Sequence, residues 1–301
     1  MRLLIKILLA GALILLLPTF GYSQTTDNHR LSWFAKPDSG SRFQRFYFYW
    51  GYNRATFARS DIHFSGREYD FTLFDVVAKD RPSKFNFKLY FGPTTITIPQ
   101  YDWRFGFFLT RHFALSVGVD HIKYVVVNDQ TVRMSGVVSE DVSKRYAGTY
   151  LQRPIRITDD FVRYEHTDGL NLVNLDLEYH LPVVQLAHSK IALHLLTGLG
   201  GIWVVPRTDA HVFGYGLNNH FHLAGYSLSG KAGLRLYVLK RLFLMAETKV
   251  GYITLPDILL RNEQSERANQ NILFWEKMGA VGFDFNFSHR HKHKVPSAGL
   301  R

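Results

Sequence analysis

The amino-acid sequence predicts one domain: an all-β, antiparallel transmembrane β-barrel of about ten strands, in a range of roughly eight to twelve. Three observations lead to this fold class. Long segments alternate between apolar and polar residues with a period of two. Aromatic residues make up 15% of the chain, with 24 Phe, and recur at the ends of these segments, as girdles require. The connections between segments are alternately short and long.

The clearest alternation runs through residues 221–255, where two halves meet at a basic turn at Lys240 and Arg241. One face is apolar and the other carries Ser, Lys, Gly, Arg and Glu. Each arm reaches the roughly 9 to 11 residues that a tilted strand needs to cross a bilayer. We therefore expect a hairpin with its apolar face toward lipid and its polar face toward a lumen.

Similar alternation predicts the other strands at about 43–53, 69–77, 84–91, 101–109, 113–119, 170–181, 191–203 and 271–287. Short turns are then expected at one end of the barrel, near Asp80, Thr110, Ala187 and Lys240. The other connections lie near Ser60 and Gly92 and over 128–160, 207–219 and 257–271. Most of them are long, and short periplasmic turns with long external loops are typical of outer-membrane barrels.

The amino terminus has the layout of a secretory signal peptide. Arg2 and Lys6 precede an apolar run over 7–17, and small residues then favour cleavage before Gln24. A membrane anchor is the alternative, but the run is shorter than the roughly 20 residues of a spanning helix. We expect a signal peptide over 1–23, a periplasmic lead-in over 24–41, the barrel over 42–287 and a basic tail over 288–301.

Composition argues against several classes of function. The chain has no cysteine, hence no disulfide, lipid attachment site or thiolate metal centre. Its formal net charge is +11, but much of the excess lies in the signal peptide and the tail. An exported chain without a basic helix or ribbon is a poor candidate for binding nucleic acid. No cofactor is expected.

Charged residues of both signs fall on the predicted inner face. The lumen candidates are Arg45, Lys88, Asp102, Arg104, Asp120, Asp176, Glu178, His180, Lys231, Arg235, Glu247, Lys249 and Asp284. Buried charges need partners, and narrow barrels are filled by side chains, so we expect a paired network that plugs the lumen. A selective solute path is the alternative, and it predicts an excess of one sign that the sequence does not show.

Glu165, His166, Thr167 and Asp168 form the most suggestive catalytic pattern. A His beside a hydroxyl and a carboxylate can act as a general base with a nucleophile and an orienting acid. The alternative is structural, with Asp168 and the following glycine turning the chain at a strand entrance.

Histidines suggest two further sites. His220 and His222 share a strand face and could meet His211 at one rim, where imidazoles can hold zinc or copper. Contact with lipopolysaccharide or with solvent is the alternative. The segment 289–294 is basic and His-rich and could bind metal or anionic partners, or remain a solvated tail.

The chain resembles bacterial outer-membrane β-barrel proteins through its signal peptide, its alternating strands and its closing VGFDFNF, which is similar to their aromatic insertion signal. In detail it resembles uncharacterised barrels of Bacteroidota, through YWGYNR, SDIHF, YDFTL, IPQYDWRFG and EHTDGLN. The aromatic insertion signal normally lies at the carboxyl terminus, whereas here 14 residues follow Phe287. The resemblance implies an outer-membrane location, contacts with outer-membrane lipids and lipopolysaccharide, and insertion by the barrel-insertion machinery. We expect a monomer.

A fainter resemblance concerns function. The stretch around His166 resembles the His-x-Ser-Asn motifs of outer-membrane phospholipases and lipid A deacylases, but Asp168 stands where the nucleophilic serine belongs. We therefore expect a non-enzymatic protein whose external segment 128–160 and neighbouring loops contact a ligand. The alternatives are a lipid hydrolase or acyltransferase using His166, and a narrow channel.

Overall fold

The computed structural model describes residues 44–186, 191–216, 220–261 and 266–286. The predicted signal peptide, lead-in and tail lie outside the described residues, and so do the turn at Ala187 and the terminal Phe287.

The described chain consists almost wholly of β-strands and contains one short helix. The elements in chain order are β1 (Phe46–Phe57), β2 (Ser60–Gly66), β3 (Tyr69–Val76), β4 (Ala78–Lys79), α1 (Phe87–Phe91), β5 (Tyr101–Phe108), β6 (Phe113–Val126), β7 (Thr131–Val138), β8 (Gly148–Arg156), β9 (Val162–Gln185), β10 (Ala192–Pro206), β11 (Asp209–Val212), β12 (Tyr215–Gly216), β13 (Gly225–Tyr237), β14 (Leu242–Leu259) and β15 (Arg267–Phe285).

Eight of these strands form a closed ring. Their order is β1, β5, β6, β9, β10, β13, β14 and β15, each antiparallel to its neighbours, and β15 pairs back with β1. Trp50 therefore lies opposite Trp103 on one side and Val281 on the other. The predicted transmembrane β-barrel is confirmed, with a strand number at the lower end of the expected range.

The outer wall of the barrel is apolar because alternate residues of each strand point outward. Leu199, Leu228 and Phe283 are each 46–58% exposed, as expected of side chains that face lipid rather than water. On β9 the lipid-facing zone extends over Val173, Leu175, Leu177 and Tyr179. The turns near Thr110 and Lys240 are short and lie at the same end of the barrel, as predicted.

Two predicted membrane strands do not belong to the barrel. The segment predicted at 69–77 forms β3, which pairs with β2 and β7 beyond the ring. The segment 84–91 contains helix α1, whose start is capped by the Asn86 side chain accepting a hydrogen bond from the Leu89 backbone N–H. The connections at Asp80 and Gly92 consequently both lie at the end with long connections. The sequence predicted a membrane strand here because its phenylalanines alternate. A segment that docks outside the barrel can show the same period of two.

The barrel wall continues past the lipid-facing zone into an external layer. Strand β9 has 24 residues, more than twice what crossing requires. The tip of β15 pairs with β2, and the sheet continues through β3 and β7 to β8. Strands β11 and β12 extend the top of β9. This layer encloses a large apolar core that includes Phe64, Phe71 and Phe161. No helix in the described residues is long and apolar enough to cross a bilayer.

Candidate functional site

The middle of the lumen is occupied by a guanidinium held between two carboxylates. Arg104 lies on β5, and its Nη2 is 2.9 Å from Oδ1 of Asp120 on the adjacent strand β6. Its Nε is 3.1 Å from Oδ2 of Asp176 on β9. Lys249 from β14 reaches across to pair with Asp120. Strands on opposite walls are thus connected by charge-assisted hydrogen bonds.

Lys231 forms a second centre in the same network. Its Nζ is 2.7 Å from Asp176 Oδ2 and 2.7 Å from Glu178 Oε1, and 3.7 Å from Glu247 Oε2. The Lys231 side chain is 2% exposed. The ammonium donates to Asp176 and Glu178 together, and Glu247 lies within ion-pair distance but beyond hydrogen-bond distance.

Toward the end with short turns, the lumen is closed by aromatic rings. The Arg235 guanidinium lies 4.4 Å from the Tyr47 ring centroid and 4.1 Å from that of Phe243, so it is held by cation–π contacts. Its Nη1 is 3.7 Å from Asp284 Oδ1. The Tyr47 hydroxyl donates to Glu178, which connects this aromatic layer with the ion pairs above.

Glycines on the inner face make room for this filling. A Cβ added to Gly200 would lie 1.9 Å from Asp176 Oδ1, and one added to Gly118 would lie 2.6 Å from Nη1 of Arg104. The small inner face of β10 therefore accommodates the polar side chains of β9.

The structure places eleven of the thirteen lumen candidates inside the barrel. The other two are not buried in it: Arg45 is exposed just before the start of β1, and Lys88 is exposed on α1. Lys88 was misplaced because its segment is not a membrane strand. The buried charges of the described lumen are then the cations Arg104, Lys231, Arg235 and Lys249 and the carboxylates Asp102, Asp120, Asp176, Glu178, Glu247, Glu276 and Asp284. Acidic side chains therefore outnumber basic ones by seven to four, an excess of one sign that the sequence did not show.

Three of these carboxylates lie close together. Oxygens of Asp102, Asp120 and Glu276 are within 4.8 Å of one another. Asp102 accepts a hydrogen bond from the Asn53 amide at 2.6 Å, and Lys249 lies 3.9 Å from Glu276. Lys249 and Arg104 therefore offset part of the negative charge of this group.

His166 lies in the external layer, above the lipid-facing zone, and is completely buried. Its Nε2 is 3.1 Å from the Tyr164 hydroxyl and its Nδ1 is 3.0 Å from Oγ1 of Thr208. Burial lowers the pKa of His166 to about 3, so the imidazole is neutral. In the described part of the chain no carboxylate bonds to it, and it reaches no surface from which a lipid could approach.

The other members of the predicted catalytic pattern face away from His166. Glu165 Oε2 is 2.8 Å from Arg81, and Thr167 Oγ1 donates to Glu165 Oε1 at 3.3 Å. Asp168 pairs with Arg207 at 3.1 Å. Neighbouring residues of a strand point to opposite faces, which separates Glu165 and Thr167 from His166. Asp168 is exposed and pairs with Arg207, so the four residues do not form a triad.

The three histidines predicted at a rim have separate partners. His211 Nε2 lies 2.9 Å from Asp209, and His222 Nε2 lies 2.8 Å from Asp257. His220 is exposed. Among the residues that the structure describes, none of the three belongs to a group of ligands close enough to share a metal ion.

Several lumen residues were not among the sequence candidates. Tyr47, Tyr49 and Asn53 fill the barrel from β1, and Asn174 donates to Asp120 Oδ2 at 2.9 Å. Each lies on the inward face that the period of two already indicated. They were overlooked because neutral residues do not signal a partner in the sequence.

No protein-family model and no curated protein sequence matches the chain. The solved structures that it resembles are bacterial outer-membrane β-barrel proteins. Neisserial surface protein A is 11% identical, with a TM-score of 0.33, over 80% of this chain and 97% of that one. OprG of Pseudomonas aeruginosa is 10% identical, with a TM-score of 0.35, over 81% and 97%. The protease OmpT of Escherichia coli is 6% identical, with a TM-score of 0.31, over 82% and 100%. Likeness at this level assigns neither ligand nor activity.

Proposed function

We propose that this protein is a non-enzymatic outer-membrane protein in which a sealed barrel anchors an external binding sheet. Strands β2, β3, β7 and β8 are that sheet, and the end with long connections faces outward from the cell. The affinity with Bacteroidota barrels, the division into signal peptide, lead-in, barrel and tail, and the monomeric state are parts of the same proposal.

The observation that carries the proposal is the ordered layer beyond the membrane zone. Phe71 of β3 is 1% exposed and packs on Phe64, Phe161 and Phe213, with ring centroids 5.2 to 5.8 Å apart. A layer with its own apolar core holds a surface in one shape, which a set of solvated loops does not do.

The outermost strand offers contacts to a partner. Strand β8 ends the sheet and is exposed along most of its length. Leu151 is 82% exposed and Val137, on the neighbouring strand β7, is 50% exposed. Pro154 lies within β8 and lacks an N–H, which limits simple extension of the sheet by another strand. Recognition through side chains is therefore favoured over strand addition.

The filled lumen supports an anchoring role over transport. Arg104, Lys231 and Arg235 are buried at 0–5% exposure, and the apolar core of the external layer lies above them. A path for solute would require these ion pairs to separate. The excess of carboxylates is what a cation path would need, so conductance is the measurement that decides between the two functions.

Two measurements on the purified full chain test the proposal. In planar bilayers we expect no steady ion conductance. On an array of glycans and extracellular-matrix proteins, we expect binding that is lost when residues 131–156, which form the β7–β8 hairpin, are replaced by a short Gly-Ser linker. A matched control replaces Lys240 and Arg241 in the turn at the opposite end of the barrel by Ser.

Steady conductance would overturn the sealed barrel. Identical binding by the wild type and by the protein without the hairpin would overturn the role of the external sheet. The control variant is expected to bind as the wild type does.

A further inference from the structure

Two cations lie directly opposite each other on the outer wall of the barrel. Arg54 of β1 and Lys277 of β15 are register partners, and both side chains are exposed. Like charges in this arrangement repel, so the pairing is destabilising without a shared anion. In the part of the chain that the structure describes, neither cation forms an ion pair with an acid. Arg54 contacts the Asn53 carbonyl and the Tyr90 hydroxyl, and Lys277 lies 4.2 Å from the ring centroid of Trp275.

The segment 84–98, which contains α1, docks beside these cations. The hydroxyl of Tyr52, an outward residue of β1, donates to the Tyr90 carbonyl, and the two rings are 4.8 Å apart. Lys123 of β6 donates to the Ile98 carbonyl at 3.2 Å and fixes the other end. The segment therefore lies against the outer wall, close to Trp50, which stacks on Tyr101 and is the register partner of Trp103.

The exposed face of this segment is unsuited to water. Phe85, Phe87 and Phe91 are 58–74% exposed on it. Lys84 and Lys88 lie between and beside these rings and are also exposed. Aromatic rings interspersed with lysines are typical of segments that lie in the interface of a membrane, with rings among acyl chains and ammonium groups at the headgroups.

We propose that Arg54 and Lys277, with Lys84 and Lys88 of the docked segment, bind the phosphates of a bisphosphorylated outer-leaflet glycolipid. The site is continuous with the lipid-facing wall, so its ligand arrives from the membrane. Asp80 interacts electrostatically with Arg54 without forming an ion pair with it, and it accepts hydrogen bonds from the backbone N–H groups of Ala55 and Arg81. Among the described residues none of these four cations forms an ion pair, and four cations match a headgroup with two phosphates better than one with a single phosphate.

The assignment to the outer leaflet rests on the proposed function, in which the end with long connections faces outward from the cell. Binding of the lipid to the purified protein does not depend on that orientation. Native mass spectrometry of the full chain in detergent, titrated with diphosphoryl lipid A, monophosphoryl lipid A or phosphatidylcholine, tests the site directly. We expect wild type to prefer diphosphoryl lipid A. The variant R54Q/K277Q should bind it about tenfold more weakly or worse, since each lost contact is a charge-assisted one. Its affinity for phosphatidylcholine should be unchanged.

The matched control K240Q/R241Q removes two exposed cations from the opposite end of the barrel and should bind as wild type does. The variant F87S/F91S should bind all three lipids more weakly, because it removes apolar contacts only. Equal affinity of R54Q/K277Q and wild type for diphosphoryl lipid A would overturn the site. So would an equal loss in K240Q/R241Q, or wild type that prefers neither phosphorylated lipid. A failure here leaves the binding role of the β7–β8 hairpin untouched, because that hairpin contributes no residue to the site.

Discussion

The ammonium group of Lys231 lies 2.7 Å from the carboxylate of Glu178, and both side chains are buried within the barrel. The pair joins strands β13 and β9 across β10, whose Gly198 leaves space for the lysine chain. Removing one partner of a buried pair leaves the other as an uncompensated charge. Stability of the barrel should therefore depend on both members of this pair.

Replacing Lys231 by Met is expected to lower the free energy of unfolding by about 3–5 kcal/mol, because Asp176 and Glu178 lose their shared cation. Urea unfolding of the detergent-solubilised protein, followed by tryptophan fluorescence, measures this change. Lys240→Met, at an exposed turn, should change it by less than about 0.5 kcal/mol. In K231M/E178Q the loss should be smaller than the sum of the single losses, and strict additivity would contradict the pairing.

Gly106 should not tolerate a side chain. A Cβ at this position would lie 2.0 Å from the Tyr47 ring, which is fixed by its hydrogen bond to Glu178 and by the Arg235 guanidinium. We expect Gly106→Ala to cost about 1–3 kcal/mol of unfolding free energy, measured in the same way. Gly279→Ala is the control, because a Cβ there meets nothing within 4 Å. Equal costs for the two substitutions would show that strand propensity, not space, sets the effect.

Removing an aromatic ring from the core of the external layer should destabilise that layer and leave the barrel folded. Phe71→Ala removes a ring that packs on Phe161 and Phe213, at a cost of about 3–5 kcal/mol to that layer. Limited proteolysis should then cleave the external segments faster, while the barrel keeps its heat-modifiable migration on gels. Phe74→Ala, on the opposite face of the same strand, should be cleaved at the wild-type rate. Unfolding of the barrel together with the external layer in F71A would contradict the view that they are separable parts.

His166 should make the protein less stable in acid. Its folded-state pKa is about 3, below the value of about 6.5 expected in the unfolded chain. The unfolded state therefore binds a proton below about pH 6.5 that the folded state does not take up until about pH 3. Stability from this group is fully present above pH 6.5 and falls by up to about 1.4 kcal/mol per pH unit below it.

Unfolding free energies of wild type and His166→Gln, measured between pH 7 and pH 4, isolate this contribution. The difference between the two proteins should change steadily in favour of the variant as the pH falls. Parallel curves for wild type and H166Q would mean that the imidazole is not held neutral by burial.

The period of two in the sequence was enough to predict the fold class and the inward positions of Arg104, Lys231 and Arg235. That success has a local cause: the pleat of a strand alternates side chains regardless of what lies beside it. The same local rule separates His166 from Glu165 and Thr167, although the predicted catalytic pattern had grouped them.

The sequence by itself therefore determined that the chain forms a membrane barrel and, within the strands of the ring, which residues face lipid and which face the lumen. Only the tertiary structure decided that eight strands close the ring, that 84–91 docks outside it, and that β2, β3, β7 and β8 form an external sheet. It also decided which charges meet, as with Lys249 and Asp120. Pairing between strands is a long-range property: the alternation of a segment is the same whether its neighbours lie in the barrel or above it, so its partner cannot be read from the segment alone.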